Sequence, residues 1–199
     1  MITPWKAQHL LIEAVRLLRN RGLTEKSSIC HILGGIHENW QDDRLYRDAL
    51  LQRLTELGLS QQVKFLGKQT NMKAVYENLD IVVSCSIEAE PFGIGIVEAM
   101  SMECIVVVPN EGGPAEIVCG GRDGFLFMPR SADDFANKLQ YVVENLEALD
   151  NIRRAARKSV VDRFSLATMA DDYEAFFSQL LSWRGCKTKP RGERVIMRA

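Results

Sequence analysis

The chain has 199 residues, of which 46% are hydrophobic and 26% charged, and a formal net charge of −1. These are the proportions of a folded globular protein with an ordinary apolar core, and they exclude dominant disorder or a need for disulfides or structural metals. No apolar stretch approaches the roughly 20 residues needed to cross a bilayer, and no nucleic-acid partner is expected. The start, Met1-Ile2-Thr3-Pro4-Trp5-Lys6, lacks the pattern of a signal peptide, so the expected location is the cytoplasm.

In chain order, Leu11, Ala14, Val15 and Leu18 recur at i, i+3, i+4 and i+7 and predict an amphipathic helix. Residues 28–33 then read as a buried strand ending at Gly34-Gly35. Tyr46, Leu50, Leu54 and Leu57 form the stripe of a second helix that stops at Gly58. A short strand at 63–66, a short helix at 72–78 and a β-branched strand at 79–84 follow. Residues 92–102 look helical, 104–108 form a strand, 114–118 a short helix opened by Gly112-Gly113-Pro114, and 125–128 a last strand. This alternation predicts an α/β fold, a Rossmann-like parallel sheet with helices on both faces.

The remaining segments are helical. Ser131 should cap a helix with Phe135, Leu139, Val142 and Leu146 on one face, residues 152–164 continue, and Ser165 should cap a final helix striped by Met169, Tyr173, Phe176 and Leu180. Residues 184–199 hold six basic side chains against Glu193, a local charge of +5 that leaves −6 for the rest. This basic stretch is expected to be a mobile tail beyond a domain spanning 1–183, and contact with an anionic partner or the periphery of the inner membrane surface is its functional alternative.

Cys30, Cys85, Cys104, Cys119 and Cys186 are odd in number, lack C-x-x-C spacing and read as structural thiols. With His9, His31 and His37 they form no zinc pattern, so no metal site is expected.

Ligands of an open parallel sheet bind beyond the carboxyl ends of the strands, which draws attention to the loops after Leu33, Leu66, Ser86 and Val108. The loop after Ser86 carries Gly93 and Gly95 at a helix start, flanked by Glu90 and Glu98. Unpaired N–H groups there suit a phosphate or diphosphate; a helix packed closely on the sheet would need the same glycines, and the glycines alone do not separate the two. Glu98 follows about 7 to 8 Å along the helix axis, so the two carboxylates can flank a diphosphate and bind the hydroxyls of a ribose and a sugar.

Glu90-x7-Glu98 around Pro91-Phe92-Gly93, followed by Ala99-Met100, resembles the E-x7-E signature of family 4 glycosyltransferases. Gly112-Gly113-Pro114-Ala115-Glu116-Ile117-Val118 is similar to that family's G-G-x-x-E-I-V segment, and Gly124-Phe125-Leu126-Phe127-Met128-Pro129 to its G-x-L-x-x-P segment. Upstream, Val63-Lys64-Phe65-Leu66-Gly67 resembles its V-x-F-L-G strand and Trp5-Lys6-Ala7-Gln8 its W-K-G-Q helix start. The resemblance runs from about residue 2 to 180 and covers one half of the two-domain GT-B architecture, the half that binds the nucleotide-sugar donor.

By that resemblance Glu98 would bind the ribose hydroxyls and Glu90 the transferred sugar. Backbone N–H groups near Phe92, Gly93 and Ile94 would contact sugar and diphosphate, and Lys6 would neutralise the leaving diphosphate. The implied reaction is retaining transfer from a UDP-, GDP- or ADP-sugar to an acceptor hydroxyl, without metal or cofactor, with the acceptor held by an N-terminal domain. Alone, this half is expected to be inactive or nearly so.

The family usually has arginine five residues before that lysine, where this sequence has Met1. The strand carrying it would precede Met1, so the chain reads as a piece cut from a longer enzyme, or alternatively as a naturally short protein, with an exposed strand edge. Glu103 and Ala7 stand where the family usually has glycine, and Ile105 where it has proline. Two competing readings remain. A non-catalytic interaction module could keep this fold, and its discriminator is the full-length context. A nicotinamide-dependent dehydrogenase is disfavoured because no G-x-G-x-x-G follows the first strand. Phe176, Phe177, Leu180 and Trp183 are expected to include exposed apolar surface or to support self-association.

Overall fold

A computed structural model describes residues 1–23, 30–37 and 39–185. Of the basic stretch expected at 184–199, residues 184 and 185 end a helix and residues 186–199, Cys186 included, lie outside the described residues, as do the first two residues of the strand expected at 28–33. The chain divides into two units, Met1–Val161 and Asp162–Ala199.

A 3-10 turn at Pro4–Lys6 leads into α1 (Gln8–Asn20), followed by β1 (Cys30–Leu33), α2 (Gln41–Glu56), β2 (Val63–Gly67), α3 (Met72–Tyr76) and β3 (Ile81–Val83). Then come α4 (Ile94–Ser101), β4 (Ile105–Pro109), α5 (Gly112–Ile117), β5 (Phe125–Phe127), α6 (Ala132–Glu144), α7 (Asp150–Phe164) and α8 (Leu166–Gly185). Every strand pairing is parallel, as strands separated by helical crossovers require.

The strands form two ladders where the sequence suggested one sheet: β1 pairs β2, and β3-β4-β5 form the other. All five residues of β4 are buried. Since successive side chains of a strand point to opposite faces, this requires cover on both. β3 is equally apolar, Ile81-Val82-Val83, yet each residue is only partly buried. Its partner among the described residues is β4 on one edge, just as that of β1 is β2.

The helical stripes become the core. In α1, Leu11, Ala14, Val15 and Leu18 are buried, and α1 packs against α6. In α6, Phe135 stacks on Phe127 of β5 with ring centroids 4.4 Å apart, both at most 1% exposed. Burying each such ring contributes roughly 1.5–3 kcal/mol. Ser131 caps α6 by accepting from the Asp134 N–H at 3.2 Å, and Ser165 accepts from the Thr168 N–H at 3.1 Å just before α8.

Three element boundaries differ instructively from expectation. The helix expected from residue 92 begins at Ile94, because Gly93 takes φ +103° and cannot be part of the helix. The helix expected from 114 begins at Gly112, and the one expected from 152 begins at Asp150. In the second unit, Phe176, Phe177, Leu180 and Trp183 are 41–60% exposed.

The two positions where the family resemblance led us to expect glycine, Ala7 and Glu103, both lie in the left-handed region, at φ +50° and +62°. A Cβ there crowds the following carbonyl, which costs roughly 1–2 kcal/mol per residue. Glu103 ends α4 and its side chain makes only a loose ion pair, 3.9 Å from Arg157 Nε, with both groups about half exposed. Glu103→Gly should therefore stabilise the protein by about 1 kcal/mol, since relief of strain exceeds the extra unfolded-state entropy of glycine. Urea unfolding would read this as a higher midpoint at constant slope; an unchanged or lower midpoint would contradict it.

Candidate functional site

Three loops converge beyond the carboxyl ends of β3, β4 and β5. The loop after β3 carries Glu90 and leads through Gly93 into α4. Two bonds to main-chain carbonyls of the chain's first turn tie that loop down: the Ile87 N–H donates to the Trp5 carbonyl at 2.9 Å, and the Cys85 thiol donates to the Lys6 carbonyl at 3.2 Å. Burial pushes the Cys85 thiol up to about 12, so it stays protonated and remains a donor across the physiological range.

These ties bring together two side chains that are 84 residues apart in sequence. Lys6 Nζ donates to Glu90 Oε2 at 2.8 Å, with both side chains about one-fifth exposed, and the same ammonium lies 4.3 Å from the centre of the Trp5 ring. Semi-burial strengthens the pair relative to a surface salt bridge while leaving it open to a ligand.

Gly112 and Gly113, read from the sequence as a helix opening, act here as a backbone buttress. The Gly113 N–H donates to the Glu90 carbonyl at 2.7 Å. A Cβ on Gly113 would clash with the Phe92 carbonyl oxygen, and one on Gly112 would lie 2.8 Å from that of Glu90. Gly112 also takes φ +66°. Both glycines are required by close backbone approach, and what they position is the Glu90–Phe92 segment.

The start of α4 presents Ile94, Gly95 and Glu98 outward, while Ile96, Ala99 and Met100 are buried. The first N–H groups of this eight-residue helix have no intrahelical acceptor and carry the positive end of its dipole. Gly93 needs its glycine for φ +103°, whereas a Cβ on Gly95 would make ordinary contact, 3.5 Å from the Tyr76 hydroxyl. Phe92 and Ile94, exposed by 41% and 67%, stand at the rim.

A cavity of about 330 Å³ opens among these groups, lined by Lys6, Glu90, Gly93, Gly95 and Tyr76, and bounded by β1 and β3 residues on either side. Ser86 and Gln8, to which the sequence assigned no role of their own, also line it. Ser86 Oγ and Gln8 Oε1 are buried and without a hydrogen-bond partner among the described residues. Tyr76, seen in the sequence only as part of a short helix, reaches from α3 to bond Glu98 Oε2 at 3.1 Å. Among the described residues no group of three or more His, Cys, Asp or Glu side chains is placed to hold a metal ion.

The family model for glycosyl transferases group 1 matches residues 1–159. The chain belongs to this family. Its fold superimposes on HepE of Anabaena, solved in complex with UDP, with a TM-score of 0.81 at 30% identity over 89% of this chain and 46% of that one. The HepE complex with UDP-glucose gives 0.78 at 31% identity, over the same shares. An uncharacterized glycosyltransferase of Methanocaldococcus jannaschii is 32% identical over 128 residues, 63% of this chain and 33% of that protein. The chain thus spans a third to a half of the length of these relatives. The parallel strands and helical layers are those of one Rossmann-like half of a GT-B enzyme.

The buttress is directly testable. Gly113→Ala must push the Phe92 backbone aside, and should lower unfolding stability by about 1–3 kcal/mol, the usual cost of overpacking. A melting temperature and urea midpoint equal to wild type would show that the contact is not required.

Proposed function

We propose that this chain is the donor-binding half of a retaining glycosyltransferase, holding a nucleoside-diphosphate sugar for transfer to an acceptor hydroxyl. The observation that carries this reading is the Lys6–Glu90 pair set beside the amino end of α4. One cation, one carboxylate and a set of outward N–H groups offer complementary partners to a diphosphate and a sugar. Membership of the glycosyl transferases group 1 family and the UDP and UDP-glucose complexes of HepE support the same ligand class.

In this reading the N–H groups near Phe92, Gly93 and Ile94 hold the diphosphate and sugar, Glu98 accepts from the two ribose hydroxyls, and Glu90 accepts from hydroxyls of the transferred sugar. As the bond between the anomeric carbon and the phosphate oxygen breaks, its electron pair stays on the diphosphate, and the Lys6 ammonium offsets the growing charge. The acceptor oxygen forms the new bond on the same face, and its proton passes to the departing phosphate oxygen. No cofactor is invoked.

The acceptor belongs to a further domain, and donor binding without efficient transfer is the expected activity of residues 1–183 alone. Among the described residues no helix is long and apolar enough to cross a membrane. We place the protein in the cytoplasm, with any membrane contact peripheral.

Isothermal titration with UDP, GDP and ADP tests the donor site. One nucleotide should bind selectively, and Glu98→Ala should weaken it by about 10- to 150-fold, the loss of a charge-assisted partner worth roughly 1.5–3 kcal/mol. A folded sample that binds none of the three at millimolar concentration would refute the reading.

A second expectation concerns charge competition. In the free protein Glu90 occupies Lys6, so a diphosphate lacking its sugar must compete with that carboxylate. Glu90→Gln should therefore tighten binding of the bare nucleoside diphosphate several-fold while weakening that of the nucleotide sugar. Equal weakening of both ligands would count against this assignment of Glu90.

A further inference from the structure

Glu98 is exposed on α4 and, left to itself, a glutamate at such a position samples many rotamers; fixing one costs up to roughly 2 kcal/mol. Here it is not left to itself. The Tyr76 hydroxyl lies 3.1 Å from Glu98 Oε2 and 3.3 Å from the Gly95 carbonyl oxygen. A phenol carries one proton, and a carboxylate outcompetes a carbonyl for it because the bond is charge-assisted. Glu98 Oε1 makes no hydrogen bond to a described residue, so that oxygen remains open to a ligand.

The donor is itself firmly held. Tyr76 is 7% exposed and closes α3, whose amino end is capped by Asn71 accepting from the Ala74 N–H at 3.2 Å. Its main-chain carbonyl accepts from the buried Cys104 thiol at 3.4 Å. Burial, then the charge of Glu98, push the phenol above its ordinary pKa, so it stays protonated and able to donate across the physiological range. The path between the two groups runs past Gly95, where an added Cβ would already touch the hydroxyl at 3.5 Å. A larger side chain would crowd it.

We infer that Tyr76 is a positioning residue for the donor site: its buried hydroxyl fixes the Glu98 carboxylate in the rotamer that receives the ribose diol, and it thereby sets the preference for ribonucleotide over deoxyribonucleotide donors. This rests on the proposed role of Glu98. The chemistry is that of a preorganised acceptor. One oxygen is held by the phenol, and the carboxylate meets two vicinal hydroxyls without paying for its own ordering at the moment of binding.

The test is calorimetric titration of wild type, Tyr76→Phe and Glu98→Ala with UDP and with 2′,3′-dideoxyuridine diphosphate. Tyr76→Phe keeps the buried ring, and its melting temperature in the absence of ligand shows whether the fold is kept. We expect wild type to prefer UDP, Tyr76→Phe to weaken UDP about tenfold with no change for the dideoxy ligand, and Glu98→Ala to abolish the preference. A Tyr76→Phe protein that keeps the full preference while Glu98→Ala loses it would overturn the positioning role alone. Equal weakening of both ligands by Tyr76→Phe would reduce Tyr76 to a structural residue. Glu98→Ala retaining the preference, or wild type showing none, would overturn the ribose role of Glu98 and this inference with it.

Discussion

The candidate site depends on a place where two stretches of backbone approach too closely to admit a side chain. Gly112 and Gly113 lie against the Glu90–Phe92 segment, and the Gly113 N–H bonds the Glu90 carbonyl at 2.7 Å. It acts together with the ties that join the loop after β3 to the carbonyls of Trp5 and Lys6. It fixes where Glu90 leaves the loop, hence where Lys6 finds its partner, and it fixes the approach to Gly93, hence where the amino end of α4 points. The glycines of one loop thus position the carboxylate of another, which is how a parallel sheet builds a site from segments that sequence keeps apart.

The two carboxylates of the site are held by opposite means. Glu90 is paired with an ammonium, which under the proposed function a ligand's phosphates would also seek, so binding would rearrange that bond. Glu98 is paired with a neutral phenol that no anion competes for, so its bond can persist through binding. Under the proposed function the two arrangements would serve different ends, an exchangeable ion pair where charge would develop and a static hydrogen bond where only recognition would be needed.

The strands are split into two ladders. The chain's first residues meet both ladders only at their carboxyl ends, where the Ile2 N–H donates to the Gly35 carbonyl at 2.8 Å and Ile87 donates to Trp5. Below that level β1 and β3 each keep one ladder partner among the described residues, and the apolar residues of β3 remain half-buried where those of β4 are wholly buried. The left-handed conformations of Ala7 and Glu103 show a further tension, a backbone path suited to glycine carried by residues with a side chain.

Helix stripes at period 3.6, β-branched runs and capping serines carried the order of elements and the parallel class, because these are local consequences of which side chains must be buried. Glu90 and Glu98 were marked by their resemblance to the E-x7-E signature of a known family, and their placement on one loop and the helix it opens kept them near each other. What the linear order could not hold was the part that depends on distant segments meeting. Neither the 84-residue Lys6–Glu90 contact, nor the hydroxyl of Tyr76 on Glu98, nor the unpaired Ser86 hydroxyl has any periodicity or spacing to betray it. Residue types and local order thus decided which elements form and which loop carries the candidate site residues; only tertiary structure decided which partner each charge meets, because a hydrogen bond is set by distances of about 3 Å that exist after crossovers and close backbone contacts have brought remote segments together.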